Sequence, residues 1–340
     1  MDLYGERKII KTIWFITLMA RLDSANLKPL FVERMKELLG GDFDSYIEAI
    51  EMEPPRSIRC NTLKISPSDL KKRLEAKGWK ISQRFKKYPE IMIVENELGP
   101  GEMGRSVEHV LGYYYVQEIA SMLPVLALKP EKDELVLDLC AAPGSKTTQM
   151  ASMMNNTGTI IANEVSLGRI KILASNAERC GVTNIVITKQ DGSLLCRKLD
   201  GLGYQFDKIL IDAPCSGEGT LRSTPKTARM WNINTVRKLS GVQKGLFFSA
   251  FNILKKGGEI VYSTCTHSPE ENEGVVNFIL EEFKGRVKIE EISLPIKHSK
   301  SILRWGEREY LEEVKYSCRI YPHDDNTEGF FIAKFKKISD

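Results

Sequence analysis

The sequence predicts an α/β fold, a doubly wound sheet of buried parallel strands preceded by a small α+β domain. Three observations predict it. From residue 133 onward, short runs rich in Val and Ile alternate with stretches of helical character, the pattern of parallel strands joined by crossover helices. Each of those runs carries an acid or a cysteine at its end, where a sheet of this kind gathers its ligand. Before about residue 108 the alternation gives way to two helices and a strand–helix–strand unit.

Taken in chain order, the apolar stretch IWFITLMA (13–20) follows Arg7, Lys8 and Lys11. It is too short to span a bilayer, and no small-residue cleavage site follows it. A helix packed on the domain surface is expected there, and Met19 is an alternative start that would leave residues 1–18 outside the native chain. Helices are expected over 29–39 and 43–52, then a strand at RSIRCNTLK (56–64), a helix over 66–78 capped by Ser66 or Ser68, and a strand at EIMIVE (90–95). ENELGPGEMGRS (95–106), with three glycines and a proline, marks the boundary. The expected domains are therefore 1–108, with its small module at about 55–97, and 109–340. In the second, strands are expected at ELVLDLC (134–140), GTIIANE (158–164), NIVITKQD (184–191), FDKILIDA (206–213), GEIVYSTC (258–265) and TEGFFIAKFKK (327–337). Helices are expected over 146–154, 166–180, 234–254 and 269–283, two of them closing near Gly181 and Gly257, as helix C-termini favour.

A chain of 340 residues, 42% hydrophobic and 28% charged, has the composition of a soluble globular protein with one large or two ordinary domains. Seven cysteines without a CxxC pair argue against a zinc site or a disulfide framework, and free thiols suit a reducing cytoplasm. No metal and no membrane partner is expected. The net charge of +4 conceals two basic blocks. Residues 56–87 hold eleven Lys/Arg against Asp69 and Glu75, and residues 219–245 hold six with no acid. Such blocks are either phosphate-binding surfaces or solvated helix faces.

The motifs narrow the chemistry. In VLDLCAAPGSKTTQM (136–150) a strand ends at Asp138, a turn of small residues follows, and a helix starts near Lys146. Small residues admit a ligand close to the backbone, and a helix N-terminus offers unpaired N–H groups. No glycine stands five positions before Gly144, which excludes the G-x-x-x-x-G-K-[ST] phosphate loop. Glu164, Asp191 and Asp212 end the next three strands, and one acid at each successive strand end is how such a sheet cradles a nucleoside. Cys215 in DAPCSG and Cys265 in YSTC fall at the same edge. A thiol of pKa about 8.5 is only a few per cent ionised at neutral pH, so a nucleophilic one needs help. The sequence offers a helix start in CTHSPEENE after Cys265, and Lys146. Cys60, Cys140, Cys180, Cys196 and Cys318 read mainly as packing.

Together DLCAAPGSKT, DAPCSG, YSTCT and EGFFIAKF resemble the signature motifs of the Nop/Sun family of RNA cytosine 5-methyltransferases. RCNTL (59–63) and VQEIASMLP (116–124) extend the resemblance over roughly residues 55–337. It implies a Rossmann-like methyltransferase sheet, S-adenosylmethionine as methyl donor, cytosine in RNA as substrate, and an N-terminal RNA-binding extension similar to an RNA-recognition fold. It also implies that Cys265 is the nucleophile at carbon 6, that Cys215 resolves the adduct, that Asp212 hydrogen-bonds the base, and that Lys146 lies at the same centre. The donor would contact Cys140, Ala141, Ala142, Pro143, Gly144, Ser145, Lys146, Glu164, Arg169, Asp191 and Asp212, with Glu164 on the ribose hydroxyls. DNA cytosine methyltransferases follow their Pro-Cys with Gln, whereas Ser216 stands here. The compact chain, without long charged tails, points to tRNA ahead of ribosomal RNA, and a monomer is expected. A catalytically idle RNA-binding assembly factor would need the loss of a thiol or a donor-site acid, and none is lost. The run LRSTPKTARMW (221–231) is expected to meet RNA phosphates, with Met230 or Trp231 stacking or packing.

Overall fold

The computed structural model describes residues 27–340, so the apolar stretch at 13–20 lies outside the described residues. Helices α1 (Pro29–Leu39) and α2 (Phe43–Glu51) turn Phe31, Met35, Tyr46 and Ile50 onto Leu221, Trp231 and Val236 of the distant basic segment. Strand β1 (Arg56–Cys60), helix α3 (Pro67–Glu75) and strands β2 (Ile81–Ser82), β3 (Ile91–Val94) and β4 (Tyr114–Val116) then build an antiparallel sheet in the order β2–β3–β1–β4. Ser66 caps α3, its hydroxyl accepting the Asp69 N–H at 3.1 Å. Leu70 and Leu74 on the inner face of α3 cover Ile58, Cys60, Met92 and Val94. The strand expected over 56–64 stops at Cys60. Asn61 turns the chain there, its side-chain amide donating to the Gly112 (2.8 Å) and Cys180 (2.7 Å) carbonyls.

The rest of the chain contributes helix α4 (Ile119–Leu128) and then β5 (Leu135–Asp138), α5 (Ser145–Met153), β6 (Thr159–Asn163), α6 (Leu167–Cys180), β7 (Ile185–Thr188), α7 (Gly192–Gly201), β8 (Phe206–Asp212), α8 (Ile233–Asn252), β9 (Leu254–Thr264) and α9 (Glu273–Glu282). After them come β10 (Val287–Glu290), β11 (Ser299–Lys300), the hairpin β12 (Arg304–Trp305) and β13 (Arg308–Glu309), β14 (Cys318–Ile320) and β15 (Phe330–Lys337). The large sheet runs β11–β14–β15–β9–β8–β5–β6–β7, with β10 also on β15. From β9 to β7 all pairings are parallel, as the alternating pattern predicts. The sheet as a whole is mixed, because β15 starts beside the end of β9 (Phe331 opposite Thr264) and so runs antiparallel to it.

Both faces are covered. Ile209 and Ile211 of β8 and Ile260 and Tyr262 of β9 pack with Leu195, Phe247 and Val276 of α7, α8 and α9. The intervening Leu210 and Val261, with Val136 and Ile160, pack with Leu123, Met150 and Ala177 of α4, α5 and α6. This is the two-sided burial that makes parallel strands read as continuous apolar runs. Two expected helices start or stop elsewhere. α8 ends at Asn252, ahead of Gly257, because the chain enters β9 at Leu254. α9 begins only at Glu273, after a turn over residues 269–272. Among the described residues no helix is long and apolar enough to cross a membrane.

Candidate active site

Parallel pairing sets Leu137 opposite both Ile161 and Ile209, so β5, β6 and β8 end together and bring Asp138, Glu164 and Asp212 to one rim. A cleft of about 380 Å³ opens there, lined by Cys140, Ala142, Glu164, Arg169, Asp191, Asp212, Cys215 and Cys265, with Val165 and Leu246 among its apolar walls. Ala141, Pro143, Gly144, Ser145 and Lys146 form the turn and helix start beside it. The Ala141 N–H donates to the Asn163 carbonyl at 2.8 Å, which ties the turn to β6. Gly144 has φ +102°, and a Cβ there would sit 2.9 Å from Leu173 Cδ1, so only glycine serves. The Pro143 carbonyl accepts from Asn176 (2.9 Å), and the Ser145 carbonyl accepts from Arg59 Nη1 (3.1 Å).

The acids differ in their partners. Glu164 is buried, accepts the Ser166 N–H at 2.9 Å, and pairs with Arg169 Nη1 at 2.9 Å. Arg169, half exposed, donates also to the Ala142 carbonyl, so it bridges the acid and the small-residue turn. Asp191 caps α7 through the Leu194 N–H at 3.0 Å. Asp138, which sequence reasoning noted only as a strand end, is buried and accepts from Thr147 Oγ1 at 2.7 Å. Burial pushes its carboxyl up to about 7, and the charge of Asp212 adds to the shift.

The thiols meet. β8 and β9 are adjacent and parallel with Asp212 opposite Ser263, and the loops that follow carry Cys215 and Cys265 to an Sγ–Sγ separation of 3.2 Å. The Cys215 thiol is pushed well above its ordinary value, first by its hydrogen bond with Cys265 and then by burial. Asp212 accepts from Lys146 Nζ (2.7 Å) at one oxygen and from Ser263 Oγ (2.7 Å) at the other. Lys146 also donates to Ser121 Oγ (3.1 Å) and lies 5.2 Å from the Phe330 ring centroid. Ser121, Ser263 and Phe330 were missed from sequence, although Ser263 stands inside the YSTC motif. Gly219 stitches the corner together: its N–H donates to the Cys265 carbonyl (2.9 Å) and its carbonyl accepts the Gly329 N–H (2.8 Å). The expected helix N-terminus at Cys265 is absent, because α9 begins eight residues later in the chain, at Glu273. Among the described residues no group of His, Cys, Asp and Glu is arranged to hold a metal ion.

The basic blocks divide. Arg59 is buried and spans the two sheets, donating to the Ser145 carbonyl and to Thr148 Oγ1 (2.9 Å). Arg73 and Lys77 pair with the buried Glu108 at 2.8 and 2.6 Å. Arg222 is buried too, donating to the carbonyls of Met52, Glu53 and Thr327. Trp231 packs edge-on against Phe31 rather than facing solvent. Lys72, Lys80 and Lys86 in the first block, and Lys226, Arg229, Arg237 and Lys238 in the second, remain exposed.

Residues 125–336 match the family described as 16S rRNA methyltransferase RsmB/F, and residues 27–119 match the N-terminal domain of 16S rRNA methyltransferase RsmF. The chain is 39% identical over 322 residues to the ribosomal RNA small subunit methyltransferase F of Aliivibrio salmonicida, a match covering 93% of this chain and 65% of that relative. A tRNA (cytosine(49)-C(5))-methyltransferase from Pyrococcus abyssi is 42% identical over 283 residues, covering 83% of this chain and 88% of the relative. The chain thus spans just under two thirds of its methyltransferase F relative. Among solved structures, a methyltransferase homologue from Pyrococcus horikoshii superposes with TM-score 0.80 at 35% identity, covering 91% of this chain and 95% of its own. NSun6 from Pyrococcus horikoshii, crystallised with SFG, superposes with TM-score 0.78 at 27% identity, covering 91% of this chain and 98% of its own.

Proposed function

The chain belongs to the 16S rRNA methyltransferase RsmB/F family, and from that membership we propose that it transfers a methyl group from S-adenosylmethionine to carbon 5 of a cytosine in RNA. The observation that carries the reading is the pair of thiols 3.2 Å apart at the end of a cleft that Asp212 also lines.

The cleft fits the donor. Glu164 is held rigid by Ser166 and Arg169 with its carboxylate at the rim, where it receives ribose hydroxyls, and Val165 and Leu246 offer apolar surface to a purine. Cys140, Ala142, Arg169 and Asp191 line the same cleft, and Ala141, Pro143, Gly144, Ser145 and Lys146 form the turn that lets the donor approach the backbone. Bound S-adenosylmethionine supplies an electrophilic sulfonium methyl. The protein's own residues make carbon 5 able to attack it. The two thiols face each other 3.2 Å apart, and the YSTC and DAPCSG motifs assign Cys265 as the nucleophile and Cys215 as its partner. Cys265, its proton given up to solvent, would add as a thiolate to carbon 6 and push the electron pair of the C5–C6 double bond onto carbon 5, which would then take the methyl group and leave the donor as a neutral thioether. Transfer of the carbon 5 proton to water re-forms the double bond and expels Cys265 as a thiolate, a release that the family resemblance assigns to Cys215. Each Asp212 oxygen accepts one donor from the protein and keeps a lone pair for the N–H groups of the base, and Lys146 beside it holds the carboxylate in place. The target base has to leave its stack to reach these groups.

Replacing Cys265 by Ala is expected to abolish methyl transfer and to leave no covalent RNA complex, whereas Cys215→Ala accumulates a complex that survives denaturing electrophoresis. Normal turnover by Cys265→Ala would refute the assignment. The RNA is tRNA in the first reading, supported by the tRNA methyltransferase matched over most of its length. Ribosomal RNA is the second reading, supported by the match of residues 27–119 to the RsmF N-terminal domain. Bisulfite sequencing of total RNA with and without the protein separates them, because the lost 5-methylcytosine names both molecule and position. A monomer acting in the cytoplasm belongs to the same proposal.

A further inference from the structure

Beside the two thiols lies a buried hydrogen-bonded cluster with no part in the reaction as derived above. Ser216 and Thr266 each follow a thiol directly, and their hydroxyls are 2.9 Å apart. Ser216 Oγ is also within hydrogen-bonding distance of Glu218 Oε2 and of Glu271 Oε1. The other oxygen of Glu271 accepts the Ser216 N–H (3.1 Å) and Gln243 Nε2 (2.7 Å), and the other oxygen of Glu218 accepts from Ser268 Oγ. Both carboxyl groups are buried.

Counting protons shows that one of the two carboxyls beside Ser216 is protonated. A serine hydroxyl has one proton to donate and two lone pairs to accept with. It can donate to one carboxylate only, so a second carboxyl oxygen stays beside it only by bringing a proton of its own. Either carboxyl has one oxygen that accepts from other groups and one that faces Ser216; burial, which pushes Glu271 up to about 7, selects Glu271, whose Oε2 accepts two N–H groups and whose Oε1 then carries the O–H. Glu218 then accepts the Ser216 proton. Thr266 Oγ1 accepts the Ser268 N–H (3.2 Å) and donates to Ser216. With that order every proton and lone pair of the Ser216 hydroxyl is placed. We propose that Glu271 is a neutral, protonated positioning acid, whose O–H to Ser216 fastens the segment carrying Cys215 to the segment carrying Cys265. An ionised Glu271 would set two carboxylates against one hydroxyl proton, and one would withdraw.

The environment agrees. Burial is the main cause that pushes Glu271 up to about 7, and the charge of Glu218 adds to it. The groups facing Glu271 are Cys215, Ser216 and Glu218 from the loop after β8, Gln243 from α8, and Tyr262 from β9, whose hydroxyl donates to the Glu271 carbonyl at 2.6 Å. The adjacent Glu270 is paired with Arg34 at 2.6 Å. The cluster is thus poised to lose its strut as pH rises through about 7.

The kinetic half of the test rests on the proposed methyl transfer, and the spectroscopic half does not. A glutamine at 271 donates an amide N–H where the acid donates its O–H and accepts with its carbonyl, so Glu271→Gln is expected to keep kcat/KM within about threefold, while Glu271→Ala loses about 10- to 100-fold through the broken tie. The ratio of Glu271→Gln to wild-type kcat/KM rises as pH passes about 7, because only the wild type loses its proton. In infrared difference spectra of the full chain at pH about 6, the wild type shows a protonated-carboxyl band that Glu271→Gln lacks and that fades as pH rises through about 7. Should Glu271→Gln fail to fold, Ser216→Ala shifts the same band by removing the acceptor of the acid proton. Folded Glu271→Gln as impaired as Glu271→Ala, or a band indifferent to both substitutions, overturns the proposal. Absence of RNA methylation by the wild type would strike the functional reading alone, since the band still decides the state of Glu271.

Discussion

Truncating Arg59 to alanine separates two physical roles that a basic residue in the first basic block can play. Arg59 lies on β1 with 2% of its surface exposed, and its guanidinium donates to the Ser145 carbonyl at 3.1 Å and to Thr148 Oγ1 at 2.9 Å. Both acceptors sit in the first turn of α5, directly after the Gly144 turn beside the cleft proposed to hold the donor. The guanidinium also lies 5.8 Å from the Tyr115 ring centroid, and burial pulls its pKa down to about 10. Removing it deletes two hydrogen bonds from a charged donor, each with a net value of about 1.5–3 kcal/mol, and leaves a void between the sheets. The relieved desolvation of the cation offsets part of that, so a net loss of about 3 kcal/mol is expected. With unfolding entropy scaling with chain length, 340 residues give roughly 0.7 kcal/mol per degree, and the melting temperature falls by about 4 °C. Thermal melts of the variant and filter binding to RNA at several salt concentrations measure both roles at once. Arg59→Lys recovers little, because a lysine cannot reproduce the two-pronged fork. The expected result is a lowered melting temperature with an unchanged salt slope. An unchanged melting temperature with a slope shallower by about 0.7–0.9 would make Arg59 a phosphate contact and refute the strut.

Two further outcomes follow from the same geometry. Lys72, Lys80 and Lys86 are exposed, so replacing all three with Gln is expected to weaken RNA binding and to flatten its salt dependence by up to about 2 in log–log slope, with little change in melting temperature; an unchanged slope removes this face from the RNA surface. Asp138, Glu271 and Glu328 are all raised to about 7, chiefly by burial, and a carboxyl raised in the folded state favours folding while it stays protonated. Their contribution is full below the unfolded carboxyl range near 4 and is lost as pH rises through about 7, so the denaturant midpoint should fall between pH about 5 and 8; a midpoint that rises across that window contradicts the protonation states described here.

What the sequence made legible was whatever local chemistry dictates. The Val/Ile runs located the five parallel strands, β5, β6, β8 and β9 because both faces of each are buried and the half-exposed edge strand β7 through its Ile and Val alone, and Ser66 and Gly181 marked real helix ends. What stayed hidden has a physical reason in each case. α4 reads IASMLPVLAL, apolar on every side with Pro124 inside it, so no amphipathic period announces it, and the structure buries all but one of its residues. Arg59, Arg73, Lys77 and Arg222 read as surface charge because their partners are distant in sequence: Ser145 and Thr148, Glu108, and carbonyls of residues 52, 53 and 327. Glu271 was invisible as more than one acid in an acidic turn, since only the fold brings Ser216 and Gln243 to it.

The meeting of the two thiols shows where strand order, rather than strand pattern, makes the site. Each motif places its cysteine just past a strand end, and nothing in DAPCSG or YSTC says which strands are neighbours. In the observed order β9 lies directly against β8, so Asp212 stands opposite Ser263 and the next few residues of each strand converge. Had β9 joined the far edge beside β7, the same motifs would end four strand spacings apart, roughly 19 Å, and no pyrimidine could touch both sulfurs. The antiparallel β15 reinforces the choice from the other side. It occupies the free edge of β9, and its entry residue Gly329 donates to Gly219, whose own N–H holds the Cys265 carbonyl. A Cβ on Gly219 would lie 2.4 Å from the Gly329 carbonyl oxygen and 2.8 Å from that of Cys265. The sulfur separation is therefore set by backbone packed against backbone, and a side chain at that glycine would force the two strand ends apart.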